Sequence, residues 1–443
     1  MIKELEQYFD RLWPITRSLT GEGNRETLDI IKELVPLLRT TEVKSGTAVY
    51  DWKVPPEWQI SEAYIKDSKG KTIIDFKDNN LHVLGYSVAV DQTLSFAELR
   101  PHLYTLPEQP DLIPYLTSYY QERWGFCLSH NQLEGLDPNE AYTVKIDSSL
   151  DYSGSMTIGE AVIPGASTQE VLFSTYICHP SLANNELSGP LVAAFLYREL
   201  SKLELRYTYR FVFVPETIGS VYLISQHGQR WKEQLVAGFV ITCIGDDGPF
   251  TYKKSRRGAS LPDRIVVNLL AQTEEDYHIV DYFPSGSDER QYCSPGFNLP
   301  VGSLMRTMYG KYPEYHTSAD DKSFISFEAL AASVHKYQQV VDVLEYNRYY
   351  VNQAPYGEPQ LGKRGLYPTL GSQKAKQHTV AVMMWLLNLA DGQHDIVDIA
   401  ERSGHSFTEL IPVVQLLLGH GLLVGHDVPQ TPIYERSPAD NPV

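Results

Sequence analysis

The stretch EVLFSTYICHPSLANNELSGP, residues 170–190, combines an apolar run with a cluster of polar side chains that follows it directly. Val171 to Cys178 is short, apolar and rich in β-branched and aromatic residues, which predicts a buried strand. From Pro190 to about Leu203 the apolar residues recur at helical spacing. His179 and the segment Ala183–Gly189 stand between these two elements, so polar side chains are expected at the carboxyl end of a strand.

The same alternation continues downstream of this stretch. Apolar runs at residues 209–214, 238–244 and 300–305 predict further strands, with a short strand near Tyr277. Helical patterns at residues 220–234, 263–272 and 326–346 separate or follow them. Alternating strands and helices predict an α/β sheet with crossover connections, and sites in such sheets form outside the carboxyl ends of the strands.

Three other parts of the chain differ in pattern. The first forty residues have helical spacing, whereas residues 45–164 contain short apolar runs broken by turns, which predicts a mostly β insertion. Residues 370–443 read as three apolar helices followed by a hairpin wing that starts at Gly421, a winged-helix pattern. The predicted domains are therefore 1–44 plus 165–360, 45–164 and 370–443.

Composition narrows the class of protein. The 443 residues are 42% hydrophobic and 21% charged, which fits a folded globular protein with a substantial core. With 38 basic and 55 acidic residues the net charge is −17, which argues against a chain that coats nucleic acid. The four cysteines are isolated, and no apolar run is long enough to span a membrane. We expect a cytoplasmic protein without a membrane partner.

The predicted strand ends carry side chains that bind metals. His179 follows the first run, Glu216 the second and Asp246 the third, while His316 lies in the later segment Tyr312–Asp321. Neutral imidazole and carboxylate oxygen are the ligands of hydrolytic zinc, which lowers the pKa of water to about 7. Each position alone also fits a structural role. A histidine at the end of a strand is commonly structural, and the Asn and Ser residues of Ala183–Gly189 fit a cap for the following helix. Four such positions at successive strand or loop ends favour a site.

These motifs resemble those of a known family. The order His179, Ala183–Gly189, Glu216 before Gly219-Ser220, Asp246, Ser287-Asp288 and Tyr315-His316-Thr317 is similar to the zinc exopeptidase superfamily. More closely, the chain resembles a bacterial zinc aminopeptidase-like family with an inserted β domain and a C-terminal winged helix. The resemblance implies a zinc-exopeptidase-like three-layer domain, a mostly β insertion and a winged-helix domain.

Carried over residue by residue, the resemblance implies that His179 and His316 bind metal and that Glu216 is the general base. Asp246 matches a third-strand aspartate ligand unless the alignment shifts to Asp247. The superfamily's bridging aspartate falls on Asn185, whose neutral amide is a poor bridge between two dications, although Glu186 next to it supplies a carboxylate.

A second departure from the superfamily's pattern lowers the number of zinc ions that we expect. Thr217 stands where the superfamily usually has a second Glu. Loss of two carboxylates predicts one zinc ion rather than two, held by His179, His316 and either Glu186 or Asn185.

The sequence indicates the substrate-binding residues less specifically than it indicates the metal ligands. Arg256, Arg257 and Arg290 are candidates to bind a substrate carboxylate, and each fits equally well a salt bridge with nearby acids. Asp288, or alternatively Glu289 or Glu314, is a candidate to bind an α-amino group. The arginines would suit a carboxypeptidase-like activity and the acids an aminopeptidase.

The function predicted is a zinc-dependent exopeptidase that cleaves a terminal amide bond of a small peptide. Two alternatives remain open: an amidohydrolase or deacylase acting on an amino-acid or sugar conjugate, and a degenerate peptidase that binds a small molecule as a regulator. We interpret the last domain as a module that binds a protein partner or a second copy of the chain. DNA binding is not favoured, because the third helix, residues 406–421, contains no Lys or Arg to contact DNA.

Overall fold

The computed structural model describes residues 1–273, 275–366 and 374–432, with residues 374–377 described by their backbone. The chain divides into two compact units. The first comprises Met1–Pro262 and Tyr277–Lys336, and the second comprises Asp263–Asp276 and the chain from Tyr337 onward. Both ends of the predicted winged-helix range 370–443 lie outside the described residues.

The strands of the described residues are, in chain order, β1 (Arg39–Lys44), β2 (Ala48–Val49), β3 (Trp52–Lys53), β4 (Glu57–Lys66), β5 (Thr72–Asp75), β6 (Val90–Ser95), β7 (Leu103–Tyr104), β8 (Phe126–Cys127), β9 (Ala141–Asp151), β10 (Ser155–Ile163), β11 (Glu170–Tyr176), β12 (Thr208–Val214), β13 (Leu235–Val240), β14 (Phe250–Lys253), β15 (Tyr277–Val280), β16 (Val301–Met305), β17 (Tyr349–Asn352) and β18 (Leu423–His426).

The α-helices of the described residues are α1 (Ile2–Leu12), α2 (Glu22–Lys32), α3 (Phe96–Leu99), α4 (His130–Glu134), α5 (Ser188–Leu200), α6 (Ile218–Gln234), α7 (Leu261–Ala271), α8 (Glu289–Tyr292), α9 (Phe327–Tyr346), α10 (Lys374–Leu389), α11 (Ile396–Ser403) and α12 (Phe407–Gly419). A single π-helical turn, Ala183–Leu187, leads directly into α5.

An eight-stranded mixed sheet forms the centre of the first unit, in the order β1-β10-β12-β11-β13-β16-β14-β15. The four middle strands β12, β11, β13 and β16 are parallel neighbours. All seven residues of β11 are buried, as the continuous apolar run requires of a strand covered on both faces. The predicted α/β fold with crossover connections is thus confirmed.

The segment between β1 and β10 contains a second sheet of four antiparallel strands, β5-β4-β9-β6. Its inward residues, such as Tyr142 and Ile146, belong to the same hydrophobic cluster as Tyr176 and Val214 of the large sheet. Strand β10 falls inside the range 45–164 predicted as the insertion, yet it pairs between β1 and β12 in the large sheet. Where the insertion begins and ends, β1 and β10 pair like the two strands of a β-hairpin, with Lys44 opposite Ser155.

The second unit contains α10, α11 and α12. Capping boxes start the last two of these helices: Asp395 and Asp398 cap α11, and Ser406 and Glu409 cap α12. The predicted hairpin wing at Gly421 is not formed by the described residues after it. Instead β18 pairs with β17, which lies far upstream in the chain. None of the helices in the described residues combines the length and apolar character needed to cross a membrane.

Candidate metal and catalytic centre

Two side chains predicted to act together meet at the edge of the large sheet. His179 follows β11 and Glu216 follows β12, and these strands are parallel neighbours, so their carboxyl ends lie side by side. The Nε2 atom of His179 lies 3.9 Å from Oε2 of Glu216. Residues predicted from separate motifs are therefore brought together at one strand edge.

The imidazole of His179 is held in a defined orientation by Glu186. Oε2 of Glu186 lies 3.1 Å from Nδ1 of His179 and accepts the backbone N–H of the same residue at 3.0 Å. Nδ1 is thereby directed at a carboxylate, which leaves Nε2 on the side of Glu216. Metal-binding histidines are commonly oriented by a carboxylate in this way. The geometry therefore gives Glu186 an orienting role, in addition to its predicted role as a ligand.

His316 lies on a loop whose conformation depends on the insertion. Its φ is +57°, and its carbonyl oxygen accepts a hydrogen bond of 2.8 Å from the backbone N–H of Tyr115. The Tyr115 ring lies 5.1 Å, centroid to centroid, from both His316 and His179. The two imidazole centroids are 5.6 Å apart, and Tyr315 stacks on His316 at 4.0 Å. The insertion therefore contributes directly to the arrangement of the two histidines.

Burial favours the uncharged form of both imidazoles. Burial lowers the pKa of His179 to about 3, with a further contribution from the positive charge of Arg17. Burial also lowers the pKa of His316 to about 3, and the neighbouring His179 adds to the effect. Nε2 of His316 is buried and has no hydrogen-bond partner among the described residues. A neutral imidazole with a free ring nitrogen is a metal donor.

Arg17, from the segment after α1, is an unpredicted component of the site. Its side chain has no exposed surface, and its Nε lies 3.4 Å from Oε1 of Glu186 and donates to the carbonyl oxygen of His179 at 3.1 Å. Burial raises the pKa of Glu186, whereas the positive charge of Arg17 acts to lower it. The guanidinium thus supplies positive charge beside a carboxylate that would otherwise be costly to ionise.

Asn185 occupies the place of the expected bridging carboxylate. Its Oδ1 accepts hydrogen bonds from the hydroxyl of Tyr176 and the thiol of Cys243. Its Nδ2 is buried without a hydrogen-bond partner in the described part of the chain. Since an amide nitrogen that carries its protons is not a metal ligand, Asn185 in this orientation contributes little to binding a cation.

The backbone around Asn185 is fixed by a buried carboxylate, Asp320. Oδ1 of Asp320 accepts the backbone N–H of Asn184 at 2.6 Å, and Oδ2 accepts that of Asn185 at 2.9 Å. Burial raises the pKa of Asp320 to about 7. The π-helical turn that holds the polar motif is thus anchored by a residue that follows His316 by four positions.

Asp246 was predicted as a metal ligand, but both of its carboxylate oxygens accept hydrogen bonds from the protein. Oδ1 accepts the Thr307 hydroxyl at 2.6 Å and the Gly248 N–H at 2.8 Å. Oδ2 accepts the Asn184 amide at 2.9 Å and the Thr307 N–H at 3.2 Å. Asp246 is buried whereas Asp247 is exposed, which identifies Asp246 as the inward residue of the pair. Its contacts describe a structural role.

Gly189 explains why the polar motif ends in glycine. A Cβ atom at this position would lie 2.4 Å from the carbonyl oxygen of Ile241 and 2.4 Å from the hydroxyl of Thr175. Only glycine allows the start of α5 to approach the sheet this closely.

Glu216 is followed by a strained turn. Thr217 has φ +66° and ψ −75°, and Ile218 donates its N–H to the carbonyl oxygen of Glu216 at 2.8 Å, which makes a γ-turn. Asp288 accepts the N–H of Thr217 and the hydroxyl of Ser220, each at 2.8 Å. Non-glycine residues in this conformation persist where the surroundings enforce them, frequently at functional sites.

The electrostatic surroundings of Glu216 raise its affinity for a proton. Burial, followed by the negative charge of Asp288, raises the pKa of Glu216 to about 8, and Arg290 acts in the opposite direction. Burial raises the pKa of Asp288 to about 6. A carboxyl with a pKa close to neutrality is suited to exchange protons with a substrate.

The three predicted substrate-binding residues differ in position. Nη2 of Arg290 donates to the Thr217 hydroxyl at 2.8 Å, which places it beside Glu216. Asp288 lies under the same turn, as described above. Arg257 instead is exposed, and its Nε donates to the carbonyl oxygen of Asn298 at 2.7 Å. Glu289 is buried in an ion pair of 2.6 Å with Lys253.

A cavity of about 280 Å³ opens beside these groups. Its walls combine His179, Glu216 and Thr217 with aromatic side chains of the insertion, namely Trp52, Tyr119 and Tyr120. Trp52 and Tyr120 contact each other with their ring centroids 5.8 Å apart. The space beside His179 and Glu216 is therefore bounded by aromatic rings.

The donor types suit a divalent cation. Two buried imidazoles lie with their ring centroids 5.6 Å apart, Nε2 of His316 has no hydrogen-bond partner in the described part of the chain, and the Glu216 carboxylate lies 3.9 Å from Nε2 of His179. A second cation would need a bridging carboxylate, and Asn185 supplies an amide there. The sequence predicted His179, His316 and Glu216 together, but missed Arg17, Tyr115 and Asp320. Only Asp320 had a sequence signal, as an acid within the Tyr312–Asp321 motif.

Comparisons with known proteins extend this description. A family model for a domain of unknown function, DUF4910, matches residues 6–347, and a winged helix-turn-helix model matches residues 348–425. A Clostridium acetobutylicum protein, provisionally named a polysaccharide biosynthesis protein with an aminopeptidase-like domain, is 47% identical over 407 residues, which covers 92% of this chain and 93% of that protein.

Solved structures share the fold. A crystal structure of a Clostridium acetobutylicum protein, provisionally named a peptidase, is 45% identical, covers 96% of both chains and has a TM-score of 0.90. The zinc aminopeptidase BSAP of Bacillus subtilis is 11% identical, with a TM-score of 0.56 over 76% of this chain and 93% of its own. The peptidase M28 precursor of Shewanella amazonensis is 13% identical, with a TM-score of 0.54 over 77% of this chain and 91% of its own.

The expected likeness to zinc aminopeptidases is confirmed at the level of the fold, and the winged helix is confirmed by its family model. Because the DUF4910 model spans most of the sequence, the chain belongs to the DUF4910 family, here followed by a winged helix-turn-helix domain.

Proposed function

We propose that this protein is a zinc-dependent hydrolase of the exopeptidase type. The observation that carries the proposal is the pairing of two buried imidazoles, His179 and His316, whose ring centroids lie 5.6 Å apart, with the carboxylate of Glu216 3.9 Å from Nε2 of His179. The fold shared with zinc aminopeptidases supports it, as does the aminopeptidase-like domain in the name of the 47% identical relative.

One zinc ion would be held by His179 and His316, with the third protein ligand supplied by a carboxylate of the site. When bound, zinc supplies Lewis acidity, which polarises a carbonyl group and makes water more acidic. Glu186 accepts a hydrogen bond from Nδ1 of His179, so that Nε2 of the same ring remains available to the metal. Arg17 balances the charge of Glu186 and keeps it in place.

Glu216 acts as the general base. Its carboxylate takes a proton from the water that attacks the substrate carbonyl, and the protonated carboxyl then gives a proton to the leaving amine. Burial and the negative charge of Asp288 raise the pKa of Glu216, which favours holding the proton, whereas a dication bound nearby favours the carboxylate that accepts it. The γ-turn at Thr217, fixed by Asp288, sets the position of the carboxylate.

The aromatic cavity restricts the substrate to a small or terminal group. Arg290 and Asp288, beside the Thr217 turn, are the charged groups nearest to Glu216 that suit a substrate terminus. The Arg257 role is less well supported, because its guanidinium is engaged with the backbone of Asn298.

A second candidate function is an amidohydrolase or deacylase acting on a sugar conjugate. Two observations favour it: the polysaccharide biosynthesis in the name of the 47% identical relative, and the rings of Trp52 and Tyr120, whose flat faces can stack on a sugar ring. The same Glu216 chemistry would serve, since the fold does not specify the bond that is cleaved.

The test combines metal analysis with a substrate panel. Protein purified without chelator is assayed for zinc beside His179→Ala and His316→Ala, and then against dipeptides, N-acylated amino acids and N-acetylated amino sugars. We expect each of the two variants to hold about one zinc per chain less than wild type, and wild type to turn over one substrate class. Loss of zinc in both variants without turnover of any peptide, but with deacylation of amino sugars, would select the second candidate. Equal zinc content in wild type and both variants, even when zinc is added, would overturn both.

A further inference from the structure

A second cluster of metal-type donors lies in the second unit, whereas His179, Glu216 and His316 belong to the first. It consists of His378 on α10, His405 just before α12, and Glu409 in the first turn of α12. One donor atom from each side chain lies within 4.8 Å of the other two. We propose that these three residues form a binding site for a transition-metal dication, zinc being the first candidate.

The carboxylate of Glu409 is oriented by the start of its own helix. Its Oε2 accepts the backbone N–H of Ser406 at 2.7 Å and the Ser406 hydroxyl at 2.9 Å. Its Oε1 contacts Nε2 of His378. One oxygen is therefore fixed by the capping box while the other is directed at an imidazole. This division resembles the way ligating carboxylates are held by hydrogen bonds to the surrounding protein.

The two imidazoles converge on this carboxylate from different elements. Their ring centroids are 5.2 Å apart with an angle of 80° between the planes, and Nδ1 of His405 lies 3.7 Å from Oε2 of Glu409. Each ring can therefore present a nitrogen to the same point in space as the carboxylate.

The donor types identify the class of metal. Two imidazoles and one carboxylate form a common ligand set for zinc and for other first-row dications, whereas calcium and magnesium prefer oxygen alone. Zinc ligands lie about 2.0–2.1 Å from the ion, hence a little over 3 Å from one another. Nδ1 of His405 lies 3.7 Å from Oε2 of Glu409, and small rotations of the three side chains would bring their donor atoms to this spacing. His378 is 52% exposed and Glu409 35%, which leaves room for water as a further ligand.

The site has a mechanical consequence within this unit. His378 belongs to α10, whereas His405 and Glu409 belong to the start of α12. A metal bound by all three would cross-link the two helices, and its binding free energy would add to the stability of their packing.

The test uses the full chain, stripped of metal and titrated with zinc against a chromophoric chelator. Wild-type protein should take up about one equivalent more than His378→Ala or His405→Ala. Glu409→Gln retains a capping acceptor and should weaken this binding at least about tenfold. His420→Ala, an exposed histidine at the end of α12, is the matched control and should bind as wild type does. Because the comparison is between variants of one unit, it does not depend on the proposed hydrolase site.

A local measurement separates this site from any other zinc on the chain. Hydrogen exchange should slow in peptides that cover the start of α12 when zinc is added to wild-type protein and to His420→Ala, and should not change in His378→Ala. Equal zinc uptake by wild type, His378→Ala and His405→Ala, with unchanged exchange in α12, would overturn the proposal and leave an ion pair between His378 and Glu409.

Discussion

Arg17 and Glu186 form an ion pair in which neither side chain has any exposed surface, with Nε of the arginine 3.4 Å from Oε1 of the glutamate. Oε2 of the same glutamate holds the imidazole and the backbone N–H of His179. A residue near the start of the chain is thus connected through one carboxylate to a predicted metal ligand more than a hundred positions later. This chain of contacts gives Arg17 a positioning role.

Replacing Arg17 by Met should lower the free energy of unfolding by about 3–5 kcal/mol, because Glu186 is left buried without its counter-charge. The double variant Arg17→Met with Glu186→Gln should lose less than the sum of the two single variants. Urea denaturation of all three measures the coupling. Arg11→Met, which breaks a half-exposed pair with Glu33, is the control and should cost less than about 1 kcal/mol. Additive losses would mean that the buried pair is not coupled.

Glu216→Gln should keep the fold and any bound metal while turnover falls about 10²- to 10⁴-fold, since the amide cannot accept the proton of water. Steady-state rates on the best substrate, read beside metal content, measure the effect. Glu134→Gln, whose side chain is 69% exposed on α4, should leave the rate unchanged. A Glu216→Gln variant with the wild-type rate would assign general-base catalysis to another residue.

Thr217→Gly should be more stable than Thr217→Ala by about 1 kcal/mol. Both variants lose the hydroxyl that accepts a hydrogen bond from Arg290, but only glycine adopts φ +66° without strain. Part of this gain is offset because glycine has more freedom in the unfolded chain. Urea denaturation of the two variants gives the difference directly, and an alanine variant as stable as the glycine variant would show that the turn is not strained.

His82, within the insertion, gives a pH dependence that can be assigned to one side chain. Burial lowers its pKa below the ordinary value of 6.5. As pH falls through 6.5, the unfolded chain gains a proton at His82 that the folded chain does not, so the free energy of unfolding decreases. The loss is at most about 1.4 kcal/mol per pH unit and ends below the folded-state pKa.

The matched variant is His82→Asn, whose amide can still donate to the carbonyl oxygen of Cys127. Urea denaturation at about pH 7 and about pH 5 should show a smaller loss of stability on acidification in this variant than in wild type. His278→Asn, at an exposed position, should keep the wild-type dependence. Identical pH dependence in His82→Asn and wild type would mean that His82 is protonated in the folded protein as readily as in the unfolded chain.

The sequence predicted those parts of the molecule that have a local signal. The apolar runs around Val171 and Tyr209 fixed the parallel strands, and strand ends then placed His179 and Glu216 at one edge. Arg17 and Tyr115 could not be found this way, because an isolated Arg and an isolated Tyr in distant segments carry no pattern. Their roles depend on how the insertion and the N-terminal segment fold back over the sheet.

Two differences between the predicted and the observed strand pairing have a similar cause. β10 alternates like the strands before it, and only its neighbours β1 and β12 reveal that it belongs to the large sheet. β18 was expected to start a local hairpin, but its edge is taken by β17 from before the helices. Strand pairing over long distances in the chain depends on tertiary packing, which local periodicity does not encode.

The pairing of Lys44 with Ser155 has a consequence for how such a protein can diversify. Everything between these two residues occupies the position of a hairpin loop, and the backbone hydrogen bond from Ser45 to Gly154 closes it at 2.9 Å. Insertions at a loop of this kind cost little entropy and leave the flanking strands intact. Replacing this segment would remove the aromatic wall of the cavity, Trp52, Tyr119 and Tyr120, in one step. A replacement would also have to supply the contacts that Tyr115 makes with both histidines and the apolar side chains that pack against Tyr176 and Val214.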